Sequence, residues 1–115
     1  MDETADELLM KSGFQMVLHA GDARVMVRKA LDLARTWDFE GARAQLEGAD
    51  KELIAGHEVQ TVVLQKECSG DPQGYNVLFC HGMDTLMTVK SEYELAFQLV
   101  GMMESVDARM KGAVA

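Results

Sequence analysis

Proline appears once in this chain, cysteine twice, and aromatic residues make up only 6% of it. Each scarcity closes a class, because a proline-rich linker, a disulfide-stapled scaffold and an aromatic platform for stacking bases all need more of these residues. The two cysteines therefore read as free thiols. Basic residues are in the minority too, with 11 Lys and Arg against 19 Asp and Glu, for a formal net charge of -8. Such a surface repels phosphate backbones and anionic lipid, so no nucleic acid partner is expected, and no charge-driven hold on a membrane. Long apolar runs are missing as well. The longest uncharged stretch, Pro72 to Met83, is too short and too polar to cross a bilayer, so no direct membrane insertion is expected. The run Met1 to Glu7 is acidic where a secretory signal is basic, and the expected compartment is cytoplasmic.

What is present is the composition of an ordinary globular domain: 115 residues, 48% hydrophobic and 26% charged. A chain of that size builds one modest core, so residues 1–115 are expected to form a single domain. Turn-forming residues gather in few places and strand-like alternation is absent, which leaves three helical segments. The first runs from about Thr4 to Arg35, with Leu9, Met16, Ala20, Ala23, Val27, Ala30, Leu31 and Ala34 on one side at steps of three and four. Gly13 and Gly21 weaken it locally, and Gly21-Asp22 offers a place to bend or restart. Asp38 reads as the N-cap of a second helix ending near Cys68, whose inner line is Phe39, Ala42, Leu46, Ala49, Leu53, Gly56, Gln60 and Val63. The dense turn Ser69 to Gly74 precedes a third, from about Tyr75 to Lys111. Connections this short make consecutive helices neighbours, so the expected fold is all-α, an antiparallel up-down-up three-helix bundle.

The third helix has two faces to bury. Leu78, Gly82, Leu86, Val89, Tyr93, Ala96, Phe97 and Val100 form a core stripe. A second line, His81, Asp84, Thr88, Ser91, Leu95, Gln98, Met102 and Ser105, repeats three-four-three-four on another side, flanked by Leu99 and Val106. One bundle cannot cover both, and there is no fourth helix of comparable length. Homo-oligomerisation through the third helix follows, supported by the apolar line Phe14, Leu18 and Val25 outside the main stripe of the first helix.

His81 and Asp84 stand three residues apart on that second line and are neighbours on the helix surface. A carboxylate at a closed contact is costly unless it meets a cation, a proton or water. On a threefold axis three copies of Asp84 would converge, and a shared Mg²⁺ with water ligands would offset their repulsion. A neutral imidazole is nucleophilic near pH 7 and accepts a phosphoryl group when its other nitrogen is held by a hydrogen bond. His19 and His57 show no comparable company in the sequence. Cys80 adjoins His81, but residues next to each other on a helix point about 100° apart, and no CxxC spacing exists.

The segment His81-Gly82-Met83-Asp84-Thr85-Leu86-Met87-Thr88 resembles the hallmark of the lactose/cellobiose-type IIA component of the bacterial phosphoenolpyruvate-dependent sugar phosphotransferase system. Ala20-Gly21-Asp22-Ala23-Arg24 resembles that family's helix-one signature, Asp38-Phe39-Glu40 its turn into helix two, and His57-Glu58-Val59-Gln60-Thr61 its helix-two signature. Order and spacing agree over almost the whole chain.

The resemblance implies a homotrimer of three-helix bundles and a phosphocarrier function. It implies that His81 is the catalytic residue, phosphorylated on Nε2 by the small carrier HPr, and that the phosphoryl group leaves to a cysteine of the IIB component during uptake of a lactose/cellobiose-type disaccharide. It also implies that Asp84 binds a metal ion, Mg²⁺, on the trimer axis. Two positions depart from the family pattern: Met83 stands where Gln is common and Thr85 where His is common. With the relay residues retained and these two changed, the competing reading is a trimeric regulatory or interaction module without efficient relay. Phe79, Met83 and Met87 are expected around His81, where they would exclude water.

Overall fold

Three helices carry the regular structure: α1 (Ala5–Arg35), α2 (Phe39–Cys68) and α3 (Val77–Val114). A computed structural model describes residues 3–114, so Met1 and Asp2 of the acidic amino-terminal run lie outside the described residues, as does Ala115. Among the described residues there is no strand. Thr4 opens α1 with a capping box, its hydroxyl accepting from the Glu7 amide while the Glu7 carboxylate accepts from the Thr4 amide. α1 then runs unbroken through Gly13 and Gly21, so the bend offered by Gly21-Asp22 is not used.

The two connections end their preceding helices in the same way with different residues. After α1, the Trp37 amide donates to the Ala34 carbonyl and the Asp38 amide to that of Leu33. After α2, the Gly70 amide donates to Glu67 and the Asp71 amide to Lys66. Both are Schellman closures, which require a left-handed residue just past the helix. Gly70 takes that place at φ 87° without steric cost; Trp37 takes it at φ 67° and lays its ring edge-on to Phe39, with centroids 5.8 Å apart. Asp38 caps α2 through the Gly41 amide, as its position predicts. α3 starts at Val77 and leaves Tyr75 outside, because Asn76 is its cap: the Asn76 side-chain oxygen accepts from the Phe79 amide and its amide nitrogen donates to Asp6.

Packing is densest where side chains are smallest. Ala20, Ala23, Ala30 and Ala34 of α1 are fully buried, as are Ala42 and Ala49 of α2, and these methyl groups let the helix axes approach. Leu9, Met16, Leu46, Leu86, Val63, Val89 and Val100 fill the remaining volume. α1 and α3 approach closely at two glycines. A Cβ on Gly13 would lie 2.5 Å from the Leu78 carbonyl oxygen, and one on Gly82 would lie 2.7 Å from that of Gly13. Gly13, which in the sequence looks only like a weak point, is therefore where α3 crosses α1.

Cross-helix contacts set the register. Asn76 meets Asp6, Gly82 meets Gly13, and Arg24 meets Glu92, so numbers rise together along α1 and α3. His19 meets Glu52 and Gly48 meets Met26, so they fall along α1 and α2. On α3 the core line differs from the expected one at both edges. Phe79 is buried at 7% exposed, whereas Phe97 remains 44% exposed, with the Arg43 guanidinium 4.6 Å over its ring in place of a neighbouring helix.

Candidate functional site

The position of His81 follows from its neighbour. Gly82 is buried against α1, and with 100° between successive residues the side chain of His81 turns outward. His81 and Asp84 are both exposed, on the same side of α3. The line they begin is open from end to end: Thr88, Ser91, Leu95, Gln98, Leu99, Met102, Ser105 and Val106 are all exposed. The apolar line Met10, Phe14, Leu18 and Val25 on α1 is half exposed as well. Both surfaces that the sequence marks as surplus to one bundle therefore face outward.

The hydrogen bonds beside His81 run along the helix. The Thr85 hydroxyl donates to the His81 carbonyl at 2.7 Å, and the Thr88 hydroxyl to that of Asp84 at 2.8 Å. Thr85 thus uses its hydroxyl on backbone. Of the three apolar residues expected around His81, only Met87 stays on the surface, 51% exposed. Phe79 has withdrawn into the core and Met83 is half-buried against it. That is a correction with a simple cause: two residues before or after His81, a side chain lies about 160° away round the helix.

The two remaining histidines differ from each other. His19 does have company: its Nδ1–H donates to Glu52 at 2.7 Å, joining α1 to α2. His57 is exposed on the rim of a groove of about 290 Å³ between α2 and α3, with Ile54, Glu58 and Lys90. Cys68 is exposed and Cys80 half-buried, and both are free thiols. Among the described residues of one chain, no three His, Cys, Asp or Glu side chains gather as a metal-holding group. None of these helices is long and apolar enough to cross a membrane.

The helix-one and helix-two signatures brace this arrangement. Arg24 forms a two-pronged pair with Glu92 of α3, its Nε at 3.1 Å and its second nitrogen at 2.9 Å. The Glu92 hydrogen bond holds the Arg24 guanidinium above its ordinary value, against a smaller opposing effect of burial. In the other signature, the Thr61 hydroxyl closes on the His57 carbonyl. Neither the Arg24–Glu92 pair nor the Gly13–Gly82 crossing announces itself in the sequence, since both link residues far apart along the chain. Together they fix the rotation of α3, and with it the outward aim of His81.

Residues 11–104 match the family described as the lactose/cellobiose-specific IIA subunit of the phosphotransferase system. Over 88 residues the chain is 39% identical to the lactose-specific EIIA component of Lacticaseibacillus casei, spanning 76% of this chain and 78% of that one. Its fold superposes on the crystal structure of PtcA from Streptococcus mutans with a TM-score of 0.83 at 30% identity, covering 90% of this chain and 99% of that one. It also superposes on the chitobiose IIA protein of Escherichia coli, solved in complex with HPr, with a TM-score of 0.72 at 25% identity over 92% of this chain and 99% of that one. With an all-helical fold, the hallmark segment on the open face of α3 and a family match over most of its length, the chain belongs to the lactose/cellobiose-type IIA components of the sugar phosphotransferase system, where it serves in phosphoryl transfer.

Proposed function

We propose that His81 is the phosphoryl carrier, accepting the group from HPr and passing it to a cysteine of the IIB component for uptake of a lactose/cellobiose-type disaccharide. The observation that carries this reading is an exposed imidazole at the head of an uncovered helix face, held outward by the buried Gly82 beside it. In-line transfer asks mainly for position and charge balance. The imidazole lone pair attacks phosphorus as the donor's P–N bond breaks and its ring leaves; a thiolate of IIB later attacks the same phosphorus and His81 departs neutral. A helix-mounted side chain on a convex surface suits donors and acceptors that are themselves folded proteins. The E. coli relative solved with HPr supports HPr as the donor.

The assembly belongs to the same proposal: a cytoplasmic single domain, an up-down-up antiparallel bundle, joined as a homotrimer through the open face of α3. Asp84 tests whether Mg²⁺ fits. One chain presents one exposed carboxylate and one imidazole here, and no group of three donors among the described residues, too few for an ion. Three copies of Asp84 together with water supply the oxygen ligands that Mg²⁺ prefers, so Asp84 would hold it, and the ion would offset their mutual repulsion.

The test is reconstitution with phosphoenolpyruvate, the first enzyme of the system and HPr, read by intact mass. One phosphate per chain is expected on the native protein and none on His81→Ala, whose fold should be unchanged because residue 81 is exposed. A second reading has its own observation. Thr85 donates to backbone and Met83 packs inward, so neither departure from the family pattern offers the imidazole a polar partner within its chain. That favours a regulatory module without efficient relay, and failure of a matched, competent HPr to phosphorylate the native protein would select it.

A further inference from the structure

The fold gives most of the ten glycines a reason. A Cβ on Gly13, Gly56 or Gly82 would press on a neighbouring helix at 2.5–2.8 Å, one on Gly41 or Gly48 would strike the Asp38 or Met26 side chain, and one on Gly101 would touch Arg43. Gly70 and Gly74 hold positive φ. Gly21 has none of these reasons. It is exposed in the middle of α1, and a Cβ there would meet nothing within 4 Å. Gly112 is as open, but it stands in the last turn of α3, where a helix end tolerates it. Glycine inside a helix is less favourable than alanine, because it surrenders more backbone freedom on folding. A single chain would be more stable with a side chain at position 21.

The place of Gly21 on α1 supplies the reason that a single chain does not. Gly13 and Arg24 face α3, where they meet Gly82 and Glu92. At 100° per residue, Met10, Val17 and Gly21 are turned about 40–80° from Gly13, away from the buried Met16, Ala20 and Ala23. His81 is turned about 100° from Gly82, away from Leu86, which meets α2 at Gly56. All four residues therefore lie on the side of the α1–α3 seam remote from α2. Gly21 stands about 12 Å along α1 past the Gly13–Gly82 crossing. In the other direction along the seam a groove of about 540 Å³ opens, with Met10, Phe14 and Leu78 as its apolar lining. His81 thus sits between an apolar groove and a bare stretch of helix.

We propose that Gly21 is a specificity-determining residue for phosphoryl transfer, left bare so that the backbone of the phosphoryl donor, HPr, settles on α1 beside His81. The proposal rests on the donor and trimer readings above. Transfer brings two histidines to either side of one phosphorus, so a folded donor necessarily covers surface next to His81. Even a transient contact covers up to about 600 Å² on each partner. Of the two flanks of His81, the open line of α3 goes to neighbouring copies, which leaves the seam with α1. Donor side chains enter the groove at Met10, Phe14 and Leu78, and donor backbone comes down where residue 21 has no Cβ.

Reconstituted phosphorylation of the full chain, with initial rates followed against HPr concentration, tests it. Gly21→Leu is expected to raise KM for HPr at least about tenfold and to leave kcat within about twofold, because it obstructs docking and touches no reacting atom. Gly21→Ala should raise KM by a smaller factor, about threefold, while unfolding at a higher denaturant concentration than the native chain. Gly112→Leu, the same change at an open glycine far from His81, should leave both constants native. Native KM values in both residue-21 variants, or a fall in kcat at unchanged KM, overturn the proposal. So does loss of assembly in Gly21→Leu by sedimentation, which would give the bare stretch to a neighbouring copy. A native chain that a matched, competent HPr fails to phosphorylate overturns the donor reading of His81 itself, and the seat at Gly21 with it.

Discussion

On one face of α3, Leu86, Val89, Ala96 and Val100 are at most 1% exposed; about 120° round the same helix, Leu95, Leu99, Met102 and Val106 are all at least 48% exposed. Both faces are apolar, so hydrophobicity alone does not separate the core from the open surface. Small residues do. The buried face contains Gly82 and Ala96, which let α1 come close, whereas the open face carries full-sized side chains throughout its lower half. The open face is also graded, with His81, Asp84, Thr88 and Ser91 at its head and Leu95, Leu99 and Met102 further on. In the proposed assembly, such a face would hold the chemistry at one end and the subunit contact at the other.

The comparison breaks first on the buried side. Leu86, 1% exposed, also touches the space above Gly56, where an added Cβ would lie 2.8 Å from its methyl group. Leu86→Ala is expected to cost about 2–5 kcal/mol in denaturant unfolding. Leu95→Ala, 64% exposed, should cost within about 0.5 kcal/mol at concentrations where copies do not associate. Equal losses would mean that the open face is already covered within one chain.

Next in size is Gly82→Ala. The new methyl meets backbone at 2.7 Å, and a carbonyl oxygen at a helix crossing does not swing aside. The gain in helix propensity, up to about 1 kcal/mol, is outweighed by overpacking of about 1–3 kcal/mol or more. The variant should also be phosphorylated more slowly, since the displaced helix is the one that aims His81; a stability loss with a native rate of phosphorylation would separate the crossing from the site.

How much of this is legible in the sequence depends on whether a property is local. Three helices, the cap Asp38, and both faces of α3 follow from spacing that one helix carries by itself. The purpose of Gly13, the pairing of His19 with Glu52 and the reach of Arg24 to Glu92 do not, because each needs the relative placement of two helices. Phe79 and Phe97 exchange their expected roles for the same reason: five full turns apart, they share one margin of the core stripe, and the placement of the other helices decides at which level that margin is covered. Asn76 could have been found, since an Asn directly before an apolar run is an ordinary capping signal. The candidate site residues His81 and Asp84 were legible because the hallmark is contiguous and their line lies away from the core stripe; the meeting of Gly82 with Gly13 beside them was not, because it needs the placement of two helices.

On the open side, effects move from folding to association. Leu95→Glu should leave the unfolding midpoint of the dilute chain within about 0.5 kcal/mol of native, since residue 95 is exposed there. It should abolish assembly, because three introduced carboxylates would meet in the apolar half of the proposed contact. Light scattering coupled to size exclusion reads the mass directly. Undisturbed assembly would move the contact to another surface, with the exposed line Met10, Phe14 and Leu18 of α1 the next to test.

Asp84→Asn is the smallest perturbation and the sharpest, because it changes one charge without changing shape. Folding of the single chain should be unaffected, the side chain being exposed. In the proposed trimer three carboxylates repel, and only a cation or a proton relieves them. Native assembly should therefore weaken when divalent ions are chelated, while the Asn variant should assemble as well or better and ignore the chelator. Sedimentation with and without chelator distinguishes the two. If Asp84→Asn falls apart into folded monomers, the carboxylate is itself an attractive contact, and the graded face of α3 would have to be read as adhesive along its whole length.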